Sequence, residues 1–223
     1  MKEEKANIKE IFTSIQGEGA YIGAKQLFVR FCGCNLACKY CDTDFDLKGS
    51  KPYTVKALIK EISSHMDCHS VSFTGGEPLL QADFLKMLLP FCPLPVYLET
   101  NATLTDELKK IIYFVDYISA DIKLPSCTHL PELWDIHDKF FSVASSKDLF
   151  AKVVFNRNIT DEEIEKTVKL ASKHNFEIIL QPEFNADKMN VDMKIVQTVF
   201  DKFLAKYDKV RLIPQVHKFL SVR

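Results

Sequence analysis

The 223-residue sequence predicts an α/β fold: a partial, open (β/α)6-type barrel of parallel strands, with its functional groups at the C-terminal strand ends. Short apolar strand patterns alternate with amphipathic helix patterns from residue 27 to 213, which requires crossover connections and a parallel sheet. Six or seven such units are too few to close an eight-stranded barrel. Unusual polar residues also follow one strand after another, at 34–41, 74–77, 99–101, 121–123 and 181–183. Neither repeats nor long linkers interrupt the pattern, so one domain spanning 1–223 is expected.

Residues 8–19 begin as an alternating strand and end in Gln16-Gly17-Glu18-Gly19, which reads as a hairpin turn with open backbone. Over 27–32, Leu27, Val29 and Phe31 share one face, and Phe28, Arg30 and Cys32 the other. Arg30 thus stands between apolar neighbours, and its planar fork suits a carboxylate. Val55, Leu58, Ile59 and Ile62 give a helix over 53–65, followed by a strand at 70–73 and the loop Thr74-Gly75-Gly76-Glu77-Pro78. Helices are expected at 82–89, 105–113, 130–141, 161–175 and 191–207, and strands at 95–99, 117–122, 150–155, 177–180 and 210–213. Thr160 with Glu163 forms a capping box, and Val191, Ile195, Val199 and Phe203 mark the buried face of the last long helix.

A formal net charge of −1 gives no electrostatic case for nucleic acid. The charged N-terminus is unlike a signal peptide, and no apolar run reaches membrane-spanning length, so a soluble cytoplasmic protein is expected. Seven cysteines without a disulfide-scaffold spacing suit a reducing compartment. Cys34, Cys38 and Cys41 form a C-x3-C-x2-C run. A local triplet favours a [4Fe–4S] cluster with one iron open to a small molecule. Zinc, which wants four closed ligands, and plain buried thiols are the alternatives. Cys32, Cys68, Cys92 and Cys127 read as packing residues, as does Trp134. His65, His69, His129, His137 and His174 share no spacing and receive no role.

Cys34-x3-Cys38-x2-Cys41 together with Thr-Gly-Gly-Glu-Pro resembles the radical S-adenosylmethionine superfamily. The resemblance implies S-adenosylmethionine on the open iron, reduced to give a 5′-deoxyadenosyl radical. Ser14-Ile-Gln-Gly-Glu-Gly19, Phe28-Val-Arg30-Phe-x-Gly-Cys34, Cys41-Asp42-Thr43 and Pro214-Gln-Val-His217-Lys218 resemble, more narrowly, the 7-carboxy-7-deazaguanine synthase family. That family implies hydrogen abstraction at C6 of 6-carboxy-5,6,7,8-tetrahydropterin, ring contraction and loss of ammonia. By the same resemblance Ile15, Gln16, Gly17, Arg30, Thr74 and His217 contact the pterin, with Arg30 on its carboxylate. Tyr40, Asp42, Gly75, Gly76, Glu77, Asp121, Lys123 and Gln181 contact the cosubstrate, and Thr43 ligates Mg²⁺. Arg30, Gln16 and His217 position substrate, and no side chain is assigned as the catalytic group. A homodimer and an electron donor such as flavodoxin or ferredoxin are also implied. One departure stands out: many members carry Ser-Pro-Lys where this chain has Asp121-Ile122-Lys123. A glycyl-radical-enzyme activase, another pterin-modifying radical enzyme and a non-enzymatic Fe–S protein are the rival readings.

Overall fold

The computed structural model describes residues 4–41, 43–44, 46–185 and 188–222. Strand β1 (Lys5–Ile15) pairs antiparallel with β2 (Lys25–Phe31), and the short β3 (Lys51–Thr54) covers the outer edge of β1. Helix α1 (Val55–Ile62) then leads to β4 (Ser70–Gly75), and the chain alternates through α2 (Ala82–Leu88), β5 (Val96–Thr100), α3 (Thr105–Ile111) and β6 (Tyr117–Asp121). Two helices follow, α4 (Pro125–Thr128) and α5 (Trp134–Ala144), before β7 (Asp148–Phe155), α6 (Asp161–His174) and β8 (Glu177–Pro182). The chain ends with a small hairpin, β9 (Phe184–Asn185) with β10 (Lys188–Met189), then α7 (Met193–Leu204), β11 (Val210–Leu212) and α8 (Val216–Leu220).

Nine strands form one sheet in the order β11-β8-β7-β6-β5-β4-β2-β1-β3. From β2 to β11 every pairing is parallel, giving six full strands and a three-residue seventh. The two end strands do not pair with each other, so the barrel is open as expected. The differences from the expected elements have local causes. Residues 51–54 join β1 as a strand, and Thr54 Oγ1 accepts from Ala57 N, so the first helix starts at Val55. The helix expected over 130–141 is α5, which starts at Trp134 and runs to Ala144, and a separate turn, α4, precedes it and is ended by the left-handed backbone of His129 (φ 61°). Asp192 caps α7 at Lys194 N, which leaves Val191 packed ahead of the helix. The Thr160–Glu163 capping box is present.

Strand alternation sorts the core into an outer and an inner layer. Leu27, Val29, Phe31, Val71, Phe73, Leu98, Ile118, Val153 and Leu180 belong to the main core, which includes buried side chains of the surrounding helices. Each such side chain contributes roughly 1.5–3 kcal/mol of burial. The alternate residues point inward. At the barrel floor Tyr97, Phe150, Ile179 and Ile213 form a second apolar cluster, with Ala20, Tyr21 and Tyr117 packed on it. The β1–β2 loop therefore crosses beneath the barrel. Gly19 (φ 71°) permits this, since a Cβ there would lie 2.5 Å from the Phe150 ring. On the open side the C-terminal segment docks onto the same loop, with Val216 N donating to Gly17 O at 2.9 Å. A Cβ on Gly17 would meet the His217 side chain at 2.4 Å.

His137 is fully buried between two strand ends. Lys123 N donates to its Nε2 at 3.2 Å, and Nδ1 lies 3.1 Å from Ala102 O. That arrangement holds the neutral ring, and burial pushes its pKa down to about 4 despite the bond to Ala102. The unfolded chain, with its histidine near 6.5, binds the proton first. Stability is therefore complete above pH 6.5 and declines as the pH falls towards 4, by up to ~3 kcal/mol from this residue. Denaturant unfolding at pH 7.5 and 4.5 checks this: His137→Gln is expected to lose less stability than the wild type between the two pH values.

Candidate active site

The inward-facing residues above the apolar floor border a cavity of about 520 Å³ at the C-terminal strand ends. It has the size of a small-molecule site. Ile15, Gln16, Gly17, Arg30, Thr74 and His217 line it, as do Tyr40, Gly75, Gly76, Asp121, Lys123, Gln181 and Thr43. So do Cys34, Cys38 and Cys41. Asp42 lies outside the described residues. Glu77 is the exception among the described residues: it does not line the cavity but is fully buried behind it.

The reason lies in how two loops meet. A Cβ on Gly75 would fall 2.3 Å from Phe31 O, and one on Gly76 would fall 2.0 Å from Gly33 O and 3.0 Å from Cys34 Cβ. The glycine pair thus lets the β4 loop lie directly on the cysteine loop. Glu77 N donates to Gly33 O at 2.8 Å, while its carboxylate turns inward. It accepts from Asn101 N (2.7 Å), Thr100 Oγ1 (2.8 Å) and Leu79 N (3.0 Å). Burial pushes its pKa up to about 7 against those three donors. Glu77 is a knot joining the loop to β5, and the loop offers the cavity its backbone.

All three motif cysteines are free thiols on the same wall. Burial raises the Cys34 and Cys38 thiols above their ordinary range, so their thiolates call for a bound cation. Cys34 Sγ already accepts from Leu36 N at 3.4 Å, and Asn101 Nδ2 stands 3.9 Å away. Three thiols bordering one cavity, one of them with amide donors near its sulfur, are the ligand type an Fe–S cluster takes. Among the described residues no three His, Cys, Asp or Glu side chains converge on a single ion. A buried polar atom elsewhere in the cavity also fits a ligand. Gln181 is 3% exposed, lines the cavity, and its Oε1 is buried without a hydrogen-bond partner. A bound donor would satisfy it.

Across the cavity, charges alternate. Lys123 Nζ donates to Asp121 at 2.7 Å and to Tyr40 OH at 3.2 Å, and it sits over the Tyr40 ring at 5.4 Å. Asp121 faces Lys152 at 3.4 Å, its parallel register partner, and Lys152 is ion-paired with Glu18. Gln215 Nε2 donates to Glu18 at 2.6 Å. Burial would raise the Glu18 pKa, but Lys152, Gln215 and His217 pull it down to about 2. Burial would likewise lower Lys152, yet Asp121, Glu18 and Glu99 hold it well above the usual lysine range. Both stay charged throughout the neutral range.

A second network forms the wall beside it. Glu99 accepts from Gln16 Nε2 (2.8 Å), Thr74 Oγ1 (2.8 Å) and Ser72 Oγ (3.2 Å). Gln16 also donates to Gln26 and accepts from Glu18 N, so its side chain is fixed. Arg30 lines the cavity, with Nε 3.7 Å from Glu10 and its fork over Phe12, which stacks on Phe28. Sequence reasoning left Lys152 and Gln215 without a role and Glu99 undecided. The parallel register Asp121↔Lys152 would have exposed the lysine, but register is not readable from one strand pattern. Glu99 carried a usable signal, an acid at a strand end in an otherwise apolar run.

Residues 28–194 match the radical SAM superfamily. The chain is 36% identical to the 7-carboxy-7-deazaguanine synthase of Geobacter sulfurreducens, with 99% of each chain covered. It is also 36% identical to that of Archaeoglobus fulgidus, covering 98% of this chain and all of the other. Among solved structures, QueE from Escherichia coli is similar with a TM-score of 0.66 at 19% identity, covering 96% of this chain and 95% of that one. At that identity the likeness speaks for the fold. Taken with a cavity that gathers three cysteines, a glycine loop and a lone inner arginine, these matches mean that the chain belongs to the 7-carboxy-7-deazaguanine synthase family of radical SAM enzymes.

Proposed function

We propose that this chain converts 6-carboxy-5,6,7,8-tetrahydropterin to 7-carboxy-7-deazaguanine with release of ammonia, as a radical SAM lyase of 7-deazapurine biosynthesis. The observation that carries the reading is that Cys34, Cys38 and Cys41, the Gly75–Gly76 backbone and Arg30 border one cavity. Cys34, Cys38 and Cys41 would hold the [4Fe–4S] cluster, leaving the fourth iron for S-adenosylmethionine. The chemistry these groups supply when bound is a carbon-centred radical strong enough to take hydrogen from the pterin ring.

The protein's part is placement. Gly75 and Gly76 offer backbone to the cosubstrate, Tyr40 and Lys123 flank its base and ribose, and Gln181 Oε1 accepts a donor from it. Asp121 can accept from ribose hydroxyls while Lys123 and Lys152 balance its charge. Arg30 clamps the substrate carboxylate, and Glu10 at its Nε restrains the fork. Ile15, Gln16, Gly17, Thr74 and His217 frame the ring. Because Glu18 and Lys152 keep their charges, they act as fixed electrostatic partners and not as proton carriers. The apolar floor excludes water from beneath the reacting carbon.

Thr43 lines the rim and would give Mg²⁺ its one protein oxygen, the remainder coming from substrate and water. The family resemblance supports a single functional unit over 1–223, a homodimer, a cytoplasmic setting and flavodoxin or ferredoxin as reductant. No helix among the described residues is long and apolar enough to cross a membrane.

Anaerobic incubation of the reconstituted protein with reductant, S-adenosylmethionine, Mg²⁺ and the carboxy-tetrahydropterin tests the reading by mass spectrometry. The expected product is 7-carboxy-7-deazaguanine, absent in Cys38→Ala. Release of 5′-deoxyadenosine without it would keep the radical chemistry and discard this substrate.

Steady-state kinetics separate the two halves of the cavity. Gln181→Met is expected to raise the KM for S-adenosylmethionine about tenfold, the worth of one buried hydrogen bond, with little effect on the pterin KM. Arg30→Lys is expected to do the reverse, raising the pterin KM tenfold or more by losing bidentate geometry. Gly76→Ala should fold yet fail to assemble the cluster, because its Cβ displaces Gly33 and Cys34. Iron content and the absorbance near 400 nm report this, with intact cluster loading in the variant counting against the loop contact.

A further inference from the structure

Strand β1 carries an irregularity that its hairpin does not need. Its register with β2 runs from Ile15↔Lys25 to Glu10↔Arg30, and the next pair is Ile8↔Phe31. Lys9 is thus the extra residue of a bulge, a feature that re-aims a side chain and occurs often beside active sites. The Lys9 side chain is only 12% exposed and lines the cavity. Its ammonium reaches four oxygens of one loop: Asp46 Oδ1 (2.6 Å), Lys48 O (2.8 Å), Asp44 Oδ2 (2.9 Å) and Asp46 O (3.4 Å). The same oxygens bind their own backbone, with Asp46 N donating to Asp44 Oδ1 and Lys48 N to Asp46 Oδ1.

Two carboxylates and two carbonyls around one cation are the donors a hard divalent ion would choose. Here a lysine takes that place, immediately after Thr43, which shares the cavity rim with Lys9 and Asp44. We propose that Lys9 is a positioning residue that fixes Asp44, Asp46 and Lys48 by standing in for a divalent cation. It thereby holds Thr43 at the rim and withholds Asp44 and Asp46 from the metal. Magnesium at Thr43 then keeps few protein ligands and remains exchangeable with each turnover. Without Lys9 the two carboxylates would draw the ion into the loop, away from the substrate oxygens. The inference rests on the reading of Thr43 as a metal ligand given above.

Mn²⁺ binding to the reconstituted, oxidised holoenzyme, followed by the EPR signal of free Mn²⁺, tests it without turnover. Lys9→Met is expected to bind Mn²⁺ at least tenfold more tightly than wild type, and Lys9→Arg, which keeps the cation, to match wild type. Asp44→Asn/Asp46→Asn in the presence of Lys9 should leave the affinity unchanged, because those carboxylates are already engaged. Equal affinity in Lys9→Met, or a tenfold loss in the double asparagine variant, overturns the proposal. Should Lys9→Met fail to fold, the double variant decides alone. Wild-type product formation is scored separately, so the expected Mn²⁺ pattern without product would sink the functional reading and not the loop assignment.

Discussion

The architecture of this site depends on a backbone contact that only glycine allows. Gly75 and Gly76 lie against Phe31 and Gly33 at distances where any Cβ would overlap main-chain atoms. That contact sets the height of the cysteine loop over the sheet, and the sheet in turn sets everything else around the cavity. Glu77 locks it from behind. Burying this carboxyl costs solvation, which raises its pKa to about 7 even though three donors and Lys123 pull the other way. The return is that the ends of β4 and β5 cannot move independently. Leu79 N and Thr100 Oγ1 share Oε1, while Asn101 N alone serves Oε2, so losing the Asn101 contact would leave a buried acceptor unsatisfied.

Buried charge is organised around the same principle of mutual satisfaction. Lys123, Asp121, Lys152 and Glu18 alternate in sign along the strand ends, and each has a partner within an ion-pair distance. A chain of this kind is a poor source of net stability, since desolvation offsets most of the Coulomb attraction. Its value is geometric. It ties β6 to β7, β7 to the β1–β2 loop, and that loop through Gln215 to the C-terminal segment that bears His217. An aspartate at position 121 is tolerable here because Lys152 on the neighbouring strand stands at the matching register.

How much of this could be read from the sequence follows from the range of each interaction. The cysteine run, the glycine loop, the inward face of Arg30 and the strand-end positions of Asp121 and Gln181 are local facts, visible as spacing and alternation. Open-barrel topology followed from counting strand–helix units. Lys152, Gln215 and Lys9 were not legible, because each acts on a residue more than 30 positions away and has an ordinary lysine or glutamine context. Glu77 was legible as part of a motif but not in its direction. Whether a loop carboxylate faces the ligand or the protein depends on donors from another strand, here Thr100 and Asn101. The β3 strand escaped notice because its pairing with β1 competes with a helical apolar pattern that begins at the next residue.

The two sides of the cavity are held by interactions of very different stiffness. The wall formed by Gln16, Ser72, Thr74 and Glu99 is almost wholly buried, and each polar hydrogen with a traced partner is spent inside the protein. Radical chemistry at a defined ring carbon demands such a wall, since misplacement of about 1 Å forfeits orders of magnitude in rate. At the rim Asp44, Asp46 and Lys48 are exposed, and one ammonium reaching out from a strand bulge contacts all three. A buried hydrogen-bond network thus holds one side of the cavity, and an exposed ion-pair cluster borders the other.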